Sequence, residues 1–81
     1  MKSVSLPVPI RLHATRPGDT VHVVRLDGQE SICHRLREMG FCESAEVRII
    51  NTSSGLICQV CGARVCLSQR LAGSIFVRPA A

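Results

Sequence analysis

Polar and apolar residues alternate along parts of this chain, and in between the apolar period lengthens from strand-like to helical. Val21-His22-Val23-Val24-Arg25-Leu26 is rich in β-branched residues and reads as a strand, closed by the turn pair Asp27-Gly28. Over residues 30–39 the period changes: Ile32, Leu36 and Met39 stand at i, i+4 and i+7, one stripe of an amphipathic helix. Gly40 then sits where a left-handed residue ends a helix at little steric cost, and Phe41 anchors the chain as it turns away. Ala45-Glu46-Val47-Arg48-Ile49-Ile50 alternates again as a half-buried strand should. Before these elements Arg16-Pro17-Gly18-Asp19 is a turn, and after them Asn51-Thr52-Ser53-Ser54-Gly55 is a polar loop.

The next stretch predicts a hairpin whose register follows from patterning. With Cys61-Gly62 as a two-residue turn, Val60 pairs with Ala63, Cys58 with Val65, and Leu56 with Leu67. One face then carries only apolar side chains and a thiol, whereas a one-residue slip would scatter them over both faces. Cys61 is an unusual first turn residue, since this turn prefers Asn, Asp or Gly there. Ser68 caps a short helical turn through Ala72, Gly73 ends it, and Ile75-Phe76-Val77 forms the last strand.

About five short strands, one helix and a short C-terminal helical turn predict a small, mostly β domain. Its sheet edges are best removed by curling into a partly closed barrel. The whole chain, residues 1–81, reads as one domain with its core over about 10–78 and an extended lead-in over 1–9.

Composition narrows the function classes. No apolar run approaches the roughly 18 residues of a membrane helix, and no secretory leader is evident, so direct membrane insertion is not expected and the cytosol is. Net charge is +4, carried by scattered arginines rather than by a basic block. Phe41 and Phe76 are the only aromatics. That scarcity argues against single-stranded nucleic-acid binding, which relies on stacking platforms, and against polyproline recognition, which needs an aromatic groove. No phosphate loop, paired-carboxylate motif or nucleophilic triad stands out, and no enzyme is expected.

Five cysteines invite a metal reading. Cys58-x-x-Cys61 has the spacing of half a zinc site, and Cys66 with one of His13, His22 or His34 could complete a centre for Zn²⁺ or Fe²⁺. In the favoured hairpin register, however, Cys58 points inward, Cys61 sits at the tip and Cys66 faces the other way. Structural thiols are therefore preferred, with no cofactor required; a metal-binding or thiol-redox protein is the alternative. Cys33 and Cys42 read as packing residues.

Several of these segments, in order, resemble the FeoA family of small ferrous-iron-transport proteins. Ile10-Arg11-Leu12 and Arg16-Pro17-Gly18-Asp19 look like its opening, and Arg35-Leu36 with Met39-Gly40-Phe41 like its signature. Glu46-Val47-Arg48-Ile49, Gly62-Ala63-Arg64-Val65-Cys66-Leu67-Ser68, Leu71-Ala72 and Ile75-x-Val77 continue the likeness. Pro17, Gly18, Leu36, Met39, Gly40, Phe41, Gly62 and Leu67 are the positions that would hold the fold. The chain departs from the family at Glu43-Ser44, where Pro-Gly is usual, and at Cys66 and Ser68, where Ala and Arg are common. The resemblance implies an SH3-like barrel with an inserted helix. It also implies a cytosolic, non-enzymatic accessory role beside a FeoB-type membrane ferrous iron transporter, bound through the transporter's cytosolic part. The expected contact surface surrounds the helix end: Arg35, Arg37, Glu38 and Cys42. Self-association is left open.

Overall fold

The computed structural model describes residues 9–80, so the lead-in expected over 1–9 lies, apart from Pro9, outside the described residues. Its elements are β1 (Ile10–Arg11), a 3₁₀ turn (Leu12–Ala14), β2 (Thr20–Leu26), α1 (Glu30–Glu38) and β3 (Glu46–Asn51). They continue as β4 (Leu56–Val60), β5 (Ala63–Leu67), α2 (Gln69–Ala72) and β6 (Ile75–Pro79).

The strands form one antiparallel sheet in the order β1-β6-β2-β3-β4-β5, and β1 does not pair with β5. Six strands thus replace the five expected; the extra one is the two-residue β1, fixed by pairing Ile10 with Val77 and Arg11 with Phe76. The sheet is not closed by hydrogen bonds. Val21, Val47, Leu56, Leu67 and Val77 nevertheless share one buried cluster with Leu36 of α1 and Ala72 of α2. A sheet whose five longer strands all feed one core must coil around it, and that is the SH3-like arrangement; the two residues of β1 are exposed.

The β4–β5 hairpin has the register read from the sequence, with Leu56 opposite Leu67, Cys58 opposite Val65 and Val60 opposite Ala63. Cys61 (φ 53) and Gly62 (φ 78) both take positive φ, as a tight two-residue turn requires. One expectation fails here. Val60 is buried, but Ala63 is exposed and Val65 only half-buried, because β5 is an edge strand whose start extends past the core.

Helix α1 ends in a Schellman motif. The Gly40 N–H donates to the Arg37 carbonyl and the Phe41 N–H to the Leu36 carbonyl, each at 3.0 Å, with Gly40 at φ 109. Leu36 and Phe41, joined by that second bond, are both buried. Apolar burial therefore reinforces the stop signal. At the other end of the chain the Ser68 hydroxyl accepts the Leu71 N–H at 3.2 Å, the cap expected for α2.

Candidate functional site

A β-bulge shapes the surface beside the helix end. Strict alternation from Val21 and Val23 would turn Arg25 into the core. Pairing with β6 instead slips between Val23 and Arg25, so Arg25 lies opposite Phe76 and points outward. Its guanidinium stacks 4.1 Å from the Phe76 ring centroid, and that of Arg11, on the other neighbouring strand, stacks at 4.7 Å. The ring holds both guanidinium groups without neutralising them.

The loop after α1 completes the rim. The Ala45 N–H donates to the Cys42 carbonyl at 2.9 Å, closing a turn in which Ser44 takes φ 72. This turn forms without the Pro-Gly usual in the family, at the cost of one non-glycine residue in left-handed backbone. Two further bonds fix the loop to β2: Ser44 N–H to the Val23 carbonyl (2.8 Å) and Val23 N–H to the Ala45 carbonyl (2.9 Å). Between the loop, α1 and β2 lies an open depression of about 440 Å³, lined by Arg25, Leu26, Arg37, Phe41, Cys42 and Glu43. A second, of about 310 Å³, is lined by Glu46, Arg48, Gln59, Cys61 and Gly62.

The four residues expected to form one contact surface are all exposed, and two of them line a common depression. Arg37 and Cys42 line the first depression; Arg35 and Glu38 do not. Two positions apart on a helix means roughly 200° of rotation, which sends Arg35 and Arg37 to opposite flanks. Glu38 instead faces His34, 3.2 Å from its Nε2 one helical turn away. Arg25 and Glu43 take the vacated places. Arg25 escaped notice because its orientation depends on the bulge. Glu43 escaped because only the folded loop carries it to the edge of this depression.

Of the positions expected to hold the fold, Leu36, Phe41 and Leu67 are buried and Met39 is half-buried against the core. Pro17 and Gly18 form an exposed turn, tied to β3 by the Gly18 N–H to the Ile49 carbonyl at 2.8 Å. Gly62 sits at the exposed hairpin tip.

The cysteines separate as the hairpin register implies. Cys58 is fully buried, while Cys61 and Cys66 are exposed. Burial pushes the Cys58 thiol up to about 11, and the nearby Cys66 thiol adds to the shift. Among the described residues no three His, Cys, Asp or Glu side chains converge as metal ligands. Cys33 is buried as expected, but Cys42, expected to pack, is exposed on the rim of the first depression. His22 does not point freely to solvent. Its side chain is half-buried, with Nε2 4.0 Å from Glu46 and a buried Nδ1 that has no hydrogen-bond partner.

Among the described residues no helix is long and apolar enough to cross a membrane. No curated protein sequence matches the chain. The family model for the FeoA domain matches residues 10–79. Among solved structures, the crystal structure of an iron uptake regulatory protein, FeoA, superposes with a TM-score of 0.82 at 28% identity. That likeness covers 88% of this chain and 96% of the other. FeoA from Stenotrophomonas maltophilia, complexed with zinc and described as an SH3 domain protein, gives 0.77 at 25% identity, covering 85% and 89%. A manganese-dependent transcriptional repressor in complex with manganese gives 0.83 at 23% identity. There 95% of this chain matches only 39% of the repressor, a likeness of fold alone. The match over nearly the whole chain, with the fold it specifies, places the protein in the FeoA family of ferrous iron transport proteins.

Proposed function

We propose that this protein is a non-enzymatic accessory module of ferrous iron uptake that binds the cytosolic part of a FeoB-type transporter. Iron is then the transporter's cargo rather than a resident cofactor of this chain. The depression beside the end of α1 is the contact surface, and its preferred guests are acidic side chains. The observation that carries this reading is the pairing of Arg25 with Arg37 on one rim. Among the described residues neither guanidinium makes a salt bridge. Stacking on Phe76 restrains Arg25 in advance, so less conformational entropy is lost when a carboxylate docks. Leu36 and Phe41 hold the rim from within the core.

A pull-down against the transporter's cytosolic domain tests the proposal. It is run under reducing conditions, with and without guanine nucleotide. Retention of the wild-type chain and its loss in Arg25→Glu or Arg37→Glu is the expected pattern. Failure of the wild-type chain to bind in any nucleotide state overturns the reading.

A further inference from the structure

Two exposed thiols from distant parts of the chain meet at one backbone oxygen. The Cys42 Sγ lies 3.6 Å from the Gly40 carbonyl oxygen, and the Cys61 Sγ lies 3.9 Å from that same atom. The two sulfurs are therefore no farther apart than those distances combined. A Cβ built on Gly40 would stand 3.1 Å from the Cys61 Sγ and 3.5 Å from its Cβ, so the hairpin tip rests directly on this glycine. Cys42 borders the first depression and Cys61 the second.

We propose that Cys42 and Cys61 form a reversible dithiol–disulfide pair that staples the loop after α1 to the tip of the β4–β5 hairpin. The other cysteines are differently placed. Cys33 and Cys58 are buried, and Cys66 lies on the outer face of the edge strand. Both members of the pair are solvent-exposed, and each thiol makes only a long contact to an oxygen that also accepts the Cys42 N–H at 3.0 Å. Forming the bond requires both side chains to turn from that oxygen toward each other, and the loop and hairpin tip to meet the narrow geometry of a disulfide.

The oxidant is hydrogen peroxide. One thiol, as its thiolate, attacks the peroxide, breaking the O–O bond and forming a sulfenic acid with release of one water. The partner thiol then attacks that sulfur. The S–O bond breaks, the S–S bond forms and a second water leaves. Two thiols lose two electrons and peroxide gains them. A reducing dithiol reverses the exchange through a mixed disulfide.

The experiment treats the full chain, folded and reduced, with hydrogen peroxide, alkylates the remaining thiols and maps the products by intact mass and by tryptic peptides. Cleavage at Arg37, Arg48 and Arg64 puts Cys42 on one peptide and Cys61 on another. The intact chain is expected to lose two hydrogens, and those two peptides to run as one until dithiothreitol is added. Fragmentation distinguishes Cys61 from Cys58 on the shared peptide. Cys42→Ser and Cys61→Ser each abolish the product, whereas Cys66→Ser leaves it. The oxidised chain melts roughly 15–25 °C higher, since the bond closes a loop of about 20 residues. Three outcomes overturn the proposal: a bond involving Cys66, a bond between two chains, or sulfinic acids with no loss of two hydrogens.

Discussion

Gly40→Ala adds one methyl group where the end of α1, the loop after it and the β4–β5 tip meet. Its effect has two separable parts. Backbone strain comes first: at φ 109 an L-residue is disfavoured by about 1–2 kcal/mol, partly offset by the smaller entropy of the unfolded alanine chain. Gly18, at φ 93, also has positive-φ backbone that an L-residue disfavours, but a Cβ there meets nothing within 4 Å. Gly18→Ala should therefore cost about 1 kcal/mol. The second part is contact. The new Cβ stands 3.1 Å from the Cys61 Sγ, tighter than ordinary packing, so the thiol must turn away and give up its bond to the Gly40 oxygen. The thiol is exposed and can move, which limits this part to about 0.5–1 kcal/mol. Gly40→Ala should thus cost about 1.5–2.5 kcal/mol, a fall in melting temperature of roughly 10 °C for a domain of this size. Urea unfolding under reducing conditions reads the difference, provided the slope with denaturant is unchanged. Repeating both substitutions in a Cys61→Ala background should remove the excess of Gly40→Ala over Gly18→Ala. Equal losses in the two single variants, or an excess that survives without the Cys61 sulfur, would refute the packing of the hairpin tip on Gly40.

Leu36→Ala should cost about 2–5 kcal/mol, because Leu36 is 1% exposed and the rigid core around it cannot collapse, whereas Arg37→Ala should leave the melting temperature almost unchanged. Comparable losses in the two would mean the helix is turned the other way. Ser68→Ala should cost about 0.5–2 kcal/mol through loss of the bond to the Leu71 N–H; an unaffected unfolding curve would deny the cap. Alkali should expose Cys58. Its folded thiol titrates near 11 against an ordinary value of 9.0, so the native state keeps its proton after the unfolded chain has lost it. The resulting stability is fully present below pH 9.0 and is lost as pH rises towards 11, by on the order of 3 kcal/mol. Cys58→Ala, though less stable throughout, should show a flatter decline over that window; an identical slope would assign the alkaline loss to other groups.

Much of the fold was legible because local chemistry and burial agreed. The hairpin register followed from requiring one apolar face, and the end of α1 from a glycine followed by a residue with a buried seat. What escaped the sequence depends on pairing between distant strands. Two residues, Ile10 and Arg11, carry no period, and only β6 makes them a strand. The bulge at Val24 inverts the expected direction of Arg25, and no turn residue or glycine marks it. Ala63 looked like core because alternation assigns it a face but cannot say where the core ends. The candidate site was half legible for the same reason. Proximity in sequence grouped Arg35 with Arg37, while helical rotation separates them and the sheet supplies Arg25. The cysteines show it most plainly: spacing singled out Cys58, Cys61 and Cys66, yet folding brings Cys61 to Cys42.

The most direct measurement is a calorimetric titration of a FeoB-type transporter's cytosolic domain with the reduced wild-type chain and with its Arg25→Glu, Arg37→Glu and Arg35→Glu variants. The account predicts saturable binding that weakens with added salt, falls at least about tenfold in each of the first two variants, and changes little in Arg35→Glu. Binding that is undetectable for the wild-type chain, or as tight in Arg37→Glu as in wild type, would contradict it.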